Sequence, residues 1–227
     1  MMGYLSRIRL KPGLDLAQLA KVLPSDAYAE HRLIWQWFGE GADTRDFLFR
    51  REQQGHWPFF YVLSRREPID KKNLWDIETR PFAPKLTFGE RLAFVLRANP
   101  VRVRKISDDP IIKTRHRDDV VADLKKRRYA DRRQRPPMAE IVQEAGEPWL
   151  AERGAKFGFE VESVHADGYR QQRLYKPSAG KPIILSTVEF TGTLRILDAG
   201  QFVERLFRGI GPAKAFGCGL LLVRRLG

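Results

Sequence analysis

The chain has 227 residues, 43% of them hydrophobic and 30% charged, and the excess of Lys plus Arg over Asp plus Glu gives a formal net charge of +13. That balance excludes a disordered chain, fits one large or two small globular domains, and favours polyanionic partners, nucleic acid first. No apolar run reaches the length of a membrane-spanning helix, which argues against a membrane partner. The start, MMGYLSRIRLKPG, lacks the hydrophobic block of a signal peptide, and the single cysteine, Cys218, leaves no intrachain disulfide, so a cytoplasmic setting is expected.

In chain order, YLSRIRL (4–10) alternates with a period of two and reads as a strand. PSDAYAEHRLIWQWF (24–38) reads as a helix with Ser25 or Asp26 as N-cap and Glu30 in its first turn. DFLFRRE (46–52) and WPFFYVLS (57–64) flank Gln53–His56 as a hairpin. A weakly helical stretch around IDKKNLWD (69–76) precedes a strand at RLAFVLRA (91–98). The order β-α-β-β-(α)-β is that of a ferredoxin-like unit, assigned to residues 1–98.

Asn99–Pro100 interrupts the pattern, and residues 99–227 repeat it more loosely. VRVRK starts a strand, and helical segments follow near 117–128 and 138–152. FEVESV and a stretch around 169–175 lead through KPSAGKP into the strand IILSTVEFTGTLRIL (183–197). AGQFVERLF (199–207) reads as a helix, the glycine-rich GIGPAKAFGCG (209–219) follows, and CGLLLVRR closes the chain as a strand. The fold class expected is α+β, two ferredoxin-like domains in tandem.

Residues 97–135 carry fourteen Lys or Arg against six Asp or Glu, a net +8, and KKRRYADRRQRPP (125–137) is the densest part. Such a field attracts phosphate without sequence preference, although charge runs are usually just solvated. The glycine loop follows a helix and precedes a strand, so it fits neither the dinucleotide fingerprint nor a Walker A loop. Four glycines, Gly209, Gly211, Gly217 and Gly219, leave bare backbone N–H groups around Lys214, and phosphate contact is the expectation.

Histidine is scarce: His31, His56, His116 and His165. No pair has metal-ligand spacing, and no metal or other cofactor is expected. On the helical wheel Leu33, Ile34, Trp37 and Ala27 form the core face. Tyr28, Arg32 and Trp35 lie opposite, with His31 at the edge beside them. Tyr28 and His31 are three residues apart at a helix start, where free N–H groups favour an anion. A histidine can serve as base or acid when a ribose 2′-hydroxyl attacks its own phosphate, which suits RNA cleavage. A non-catalytic RNA-binding subunit is the alternative, and a DNA-binding protein the third.

The segments YLSRIRL, YAEHRLIWQWF, LRANPVRVRK and GIGPAKAFGCGLLLV, in this order, resemble the CasE family, the CRISPR repeat-RNA endoribonucleases of the type I-E Cascade complex. The resemblance covers the whole chain. It implies two tandem ferredoxin-like domains and metal-independent cleavage at the base of a repeat hairpin. It also implies retention of the processed crRNA among the other Cascade subunits. It places the catalytic histidine at His31 and its nearby tyrosine at Tyr28. It places an RNA-gripping hairpin at YRQQRLYKPSAGK, with Arg170, Arg173, Lys176 and Lys181 as contacts.

Overall fold

A computed structural model describes residues 1–24, 26–39, 45–105, 115–174 and 182–226. Strand β1 (Gly3–Leu10) is followed by a short helix, α1 (Leu16–Val22), that the sequence reading did not anticipate. A capping box starts it: the Asp15 carboxylate accepts the Gln18 N–H at 2.7 Å, and the Gln18 side chain accepts the Asp15 N–H at 3.0 Å. Helix α2 (Ala27–Gln36) begins at the cap Asp26, which accepts the Ala29 N–H at 2.8 Å. The other expected cap, Ser25, lies outside the described residues.

Strands β2 (Phe47–Gln54) and β3 (Trp57–Ser64) form the expected hairpin, turning at Gly55 in the left-handed region. The stretch read as weakly helical is instead a turn leading into strand β4 (Trp75–Phe82). The Asp70 carboxylate accepts the N–H groups of Lys72, Leu74 and Trp75, and Asn73 takes a positive φ, a geometry that a helix does not allow. Pro81 is tolerated because β4 is an edge strand of the sheet β2-β3-β1-β4.

Strand β5 (Arg91–Ala98) forms where expected, but it pairs in a second sheet whose other strands come later in the chain. The ribbon of β6 (Val101–Lys105) and β7 (Arg115–Asp119) follows. Next come α3 (Val120–Arg127), α4 (Met138–Lys156), β8 (Phe159–Leu174) and β9 (Ile183–Ile196). Helix α5 (Ala199–Arg208), a short 3-10 turn (Lys214–Phe216) and β10 (Leu221–Arg225) complete the chain. In each sheet the first strand of its unit lies between the third and the fourth, so the two halves are tandem ferredoxin-like units of one plan. The first half has no second helix, because residues 65–74 form the Asp70 turn.

Ile8, Ile34, Trp37, Phe49, Phe60 and Trp75 fill the first core, and Trp149, Phe159, Phe190 and Phe202 anchor the second. Leu48 and Leu63 of the first half meet Leu220 of the second, with Phe207 packed against them. Each buried leucine contributes about 1.5–3 kcal/mol. This third cluster therefore ties the loop after α5 to the hairpin β2–β3.

Candidate active site

Helix α2 is amphipathic, but it buries one charge. Glu30, 8% exposed, lies on the core side with Leu33 and Ile34. Burial pushes its carboxyl above the ordinary range, against the opposing pull of Arg51, whose Nη1 donates to it at 3.0 Å. At the helix start Asp26 already caps the Ala29 N–H, and Glu30 adds negative charge to the first turn. The expectation of an open, anion-attracting helix end is thereby corrected.

His31 and Tyr28 project from α2 toward the glycine loop, which the fold brings back against this helix. The Tyr28 ring meets Phe216 edge-on at 5.3 Å. Gly217 lies against Glu30 and Phe49. His31 is half-buried, and its Nε2 accepts the indole N–H of Trp35 at 3.0 Å. Its imidazole is held below the ordinary histidine range, first by burial and then by the Arg45 charge, with the Ala215 backbone opposing. Lys214 donates to the Gly211 carbonyl at 2.7 Å; burial, then Arg45 and Arg205, pull its ammonium below the ordinary range. An imidazole, a phenol and two cations therefore share one corner.

Trp35 was expected opposite the core. It instead packs against the first core, its ring edge-on to Phe47 at 5.1 Å. The i, i+4 spacing of His31 and Trp35 was the sequence signal for their contact. Arg32 is exposed and lines a separate groove beside α1, with Ala20, Leu33 and Gln36, so it is not brought to His31.

The four loop glycines all have positive φ, between 73° and 89°. Backbone conformation alone therefore accounts for them, without any phosphate contact being needed to explain their number. A Cβ at Gly209 would lie 2.9 Å from the Gly219 carbonyl, and one at Gly219 would lie 2.8 Å from that of Ile210. The Gly209 N–H donates to the Arg205 carbonyl and the Gly219 N–H to that of Arg97, so neither is open to phosphate. Gly217 is buried as well, and the part of the loop reaching the surface is Gly211 to Phe216. Ala213 adopts a left-handed φ of 60° just before Lys214.

Beside this corner runs a cleft of about 800 Å³ between the halves, lined among others by Asp26, Glu30, Arg50, Arg97, Arg170 and Phe216. Arg50, 5% exposed, donates to Glu52 and lies 3.0 Å from Glu189, to which Arg97 also donates. This network spans β2, β5 and β9 and was invisible in the sequence, because its members are distant along the chain. Arg170 and Gln172 line the cleft, whereas Arg173 is not among its walls, as strand alternation requires. Arg170 and Arg173 are both exposed on β8. Lys176 and Lys181 lie outside the described residues.

The remaining histidines are accounted for locally: His116 Nδ1 meets Asp118 at 2.6 Å and His165 Nε2 meets Asp167 at 3.9 Å, both in exposed positions, while His56 sits in the β2–β3 turn. Burial pushes the Cys218 thiol up to about 12, which makes it a poor nucleophile. Among the described residues no group of three or more His, Cys, Asp or Glu is placed to hold a metal ion, and no helix is long and apolar enough to cross a membrane.

Comparison with known proteins gives matches along nearly the whole length. Residues 3–225 match a family described as CRISPR associated protein. The chain is 33% identical over 206 residues to the CRISPR system Cascade subunit CasE of Escherichia coli, covering 89% of this chain and 94% of that one. It is 30% identical over 172 residues to the CRISPR-associated endoribonuclease Cse3 of Thermus thermophilus, covering 73% and 72%. The solved structure of CRISPR endoribonuclease Cse3 bound to a 19 nt RNA superposes with a TM-score of 0.68 at 25% identity, over 99% of this chain and 100% of that one.

Proposed function

This chain belongs to the CRISPR associated protein family, and from that membership we propose that it is an endoribonuclease that cleaves CRISPR repeat RNA and keeps the product within Cascade. Its relatives carry the names endoribonuclease and Cascade subunit, and a structural neighbour binds RNA. The observation that carries the reading is His31, an imidazole that burial and Arg45 hold below the ordinary histidine range, on the same helix as Tyr28.

The proposed reaction uses the RNA, these side chains and solvent water. The ribose 2′-oxygen attacks the adjacent phosphorus, the O2′–P bond forms, and the P–O5′ bond breaks. The products are a 2′,3′-cyclic phosphate and a 5′-hydroxyl. One proton leaves the 2′-hydroxyl and one is delivered to O5′, and His31 takes part in this transfer. Tyr28, braced by Phe216, orients the phosphate. Lys214 and Arg45 face the charge that grows on the phosphorane, where one well-placed donor is worth roughly 10²–10³ in rate. The surface part of the glycine loop, around Gly211 and Lys214, contacts the RNA backbone, while Gly209, Gly217 and Gly219 shape the loop. Arg170, Arg173, Lys176 and Lys181 grip the stem. The reaction proceeds without a metal ion, and the protein works in the cytoplasm.

The test is cleavage of a repeat hairpin in the presence of chelator, with and without a 2′-deoxyribose just upstream of the scissile phosphate. The ribose substrate is cut at an unchanged rate with chelator, and the deoxy substrate binds and stays intact. Cutting of the deoxy substrate points to a water nucleophile and overturns the mechanism. Loss of activity with chelator overturns its metal independence.

A further inference from the structure

The two nitrogens of the His31 imidazole stand in unlike settings. Nε2 accepts the Trp35 indole N–H at 3.0 Å. An indole nitrogen only donates, so Nε2 must present its lone pair and the proton of the neutral ring falls on Nδ1. Nδ1 is buried without a well-formed hydrogen bond, on the side of the Ala215 backbone. Trp35 is itself fixed, one helical turn from His31, with its ring edge-on to Phe47 at 78°.

Resting on the cleavage proposed above, we infer that Trp35 is a positioning residue whose indole N–H holds His31 in the Nδ1–H tautomer and presents Nε2 as the base for the 2′-hydroxyl. In the step, the 2′-hydroxyl displaces the indole at Nε2 and gives it its proton as O2′ bonds to phosphorus. The P–O5′ bond breaks, and water supplies the proton that O5′ takes up. The indole also works against premature protonation, because an imidazolium would set N–H against N–H. Its effect adds to that of the Arg45 charge ahead of β2, which also acts on Lys214 of the 3-10 turn, while the Tyr28 phenol stands three residues away on the same helix. All three remain when Trp35 alone is changed.

The experiment is nitrogen-15 NMR of His31 in the full-length, RNA-free protein, together with pH–rate profiles on the repeat hairpin. The wild type shows the Nδ1–H tautomer. Trp35→Phe keeps a ring against Phe47 but loses the donor. It gives a tautomer mixture, and the acid limb of its rate profile moves up by about half to one pH unit, the worth of one hydrogen bond. Activity above that limb falls by less than about threefold. Replacing Trp35 by benzothienylalanine, which keeps the indole shape and has sulfur for N–H, reproduces both changes should the phenylalanine variant fold poorly. An unchanged tautomer and an unchanged acid limb in the benzothienyl protein overturn the inference while leaving the endoribonuclease reading intact. Normal cleavage by His31→Ala instead overturns that reading.

Discussion

His31 stands among an indole, a backbone carbonyl and the charge of Arg45, half-buried where two ferredoxin-like units meet, whereas Arg170 and Arg173 stand exposed on β8. The two regions would meet the same RNA by different physics. Proton transfer near neutral pH requires desolvation and fixed neighbours, so its residues are braced from several elements. A grip on phosphate requires only accessible charge, so its residues tolerate exposure and give little shape to the fold.

The largest expected effect falls on the braced corner. His31→Ala lowers the single-turnover cleavage rate by roughly 10²–10⁴-fold and leaves affinity for uncleaved repeat RNA nearly unchanged. Arg170→Ala shows the opposite signature, with affinity reduced and the rate of bound RNA retained. Equal losses of rate and affinity in both variants would erase the distinction between the regions.

Next in size is the scaffold of the corner. Gly219→Val places a Cβ against the Ile210 carbonyl at a φ of 89° and costs about 2–4 kcal/mol of folding stability, read by chemical denaturation. Gly211→Ala, whose nearest contact is a Trp149 ring carbon at 3.4 Å, costs about 1–2 kcal/mol from φ alone. A Gly219 variant as stable as wild type would mean that the loop is not the rigid wall described.

A smaller effect sharpens the open side. Arg170 lines the cleft and Arg173 does not, so the log–log salt slope of binding falls by about one on Arg170→Ala. If Arg173→Ala changes the slope and Arg170→Ala does not, the RNA runs over the outer face of β8.

The smallest effect is on stability against pH. The His31 value is lowered on folding, so the unfolded chain binds more protons in the window below the ordinary 6.5. Wild-type stability therefore rises with pH across that window, and the penalty is gone above it. His31→Ala flattens this part of the curve measured by urea unfolding from about pH 5 to 8, and an unaltered slope would show that other groups set it.

Local pattern in the chain determined much of this protein. Period-two alternation marked β1, the polar break at Gln53–His56 marked the β2–β3 hairpin, the run RLAFVLRA marked β5, a cap at Ser25 or Asp26 marked α2, and glycine density marked the loop at 209–219. His31 with Tyr28 stood out because residues three apart share a helix surface. What escaped was of two kinds. The stretch around 69–76 looked weakly helical because short polar segments carry weak periodicity, and side-chain bonds to backbone made it the Asp70 turn, while edge strand β4 went unread. The placement of β5 in the second sheet, the packing of the glycine loop on α2, and the Arg50–Glu189–Arg97 network all depend on contacts between residues far apart in the chain. Only tertiary structure could bring Arg45, Lys214 and Ala215 to His31. Burial and charge at that meeting point hold its imidazole below the ordinary histidine range, and no local pattern encodes them.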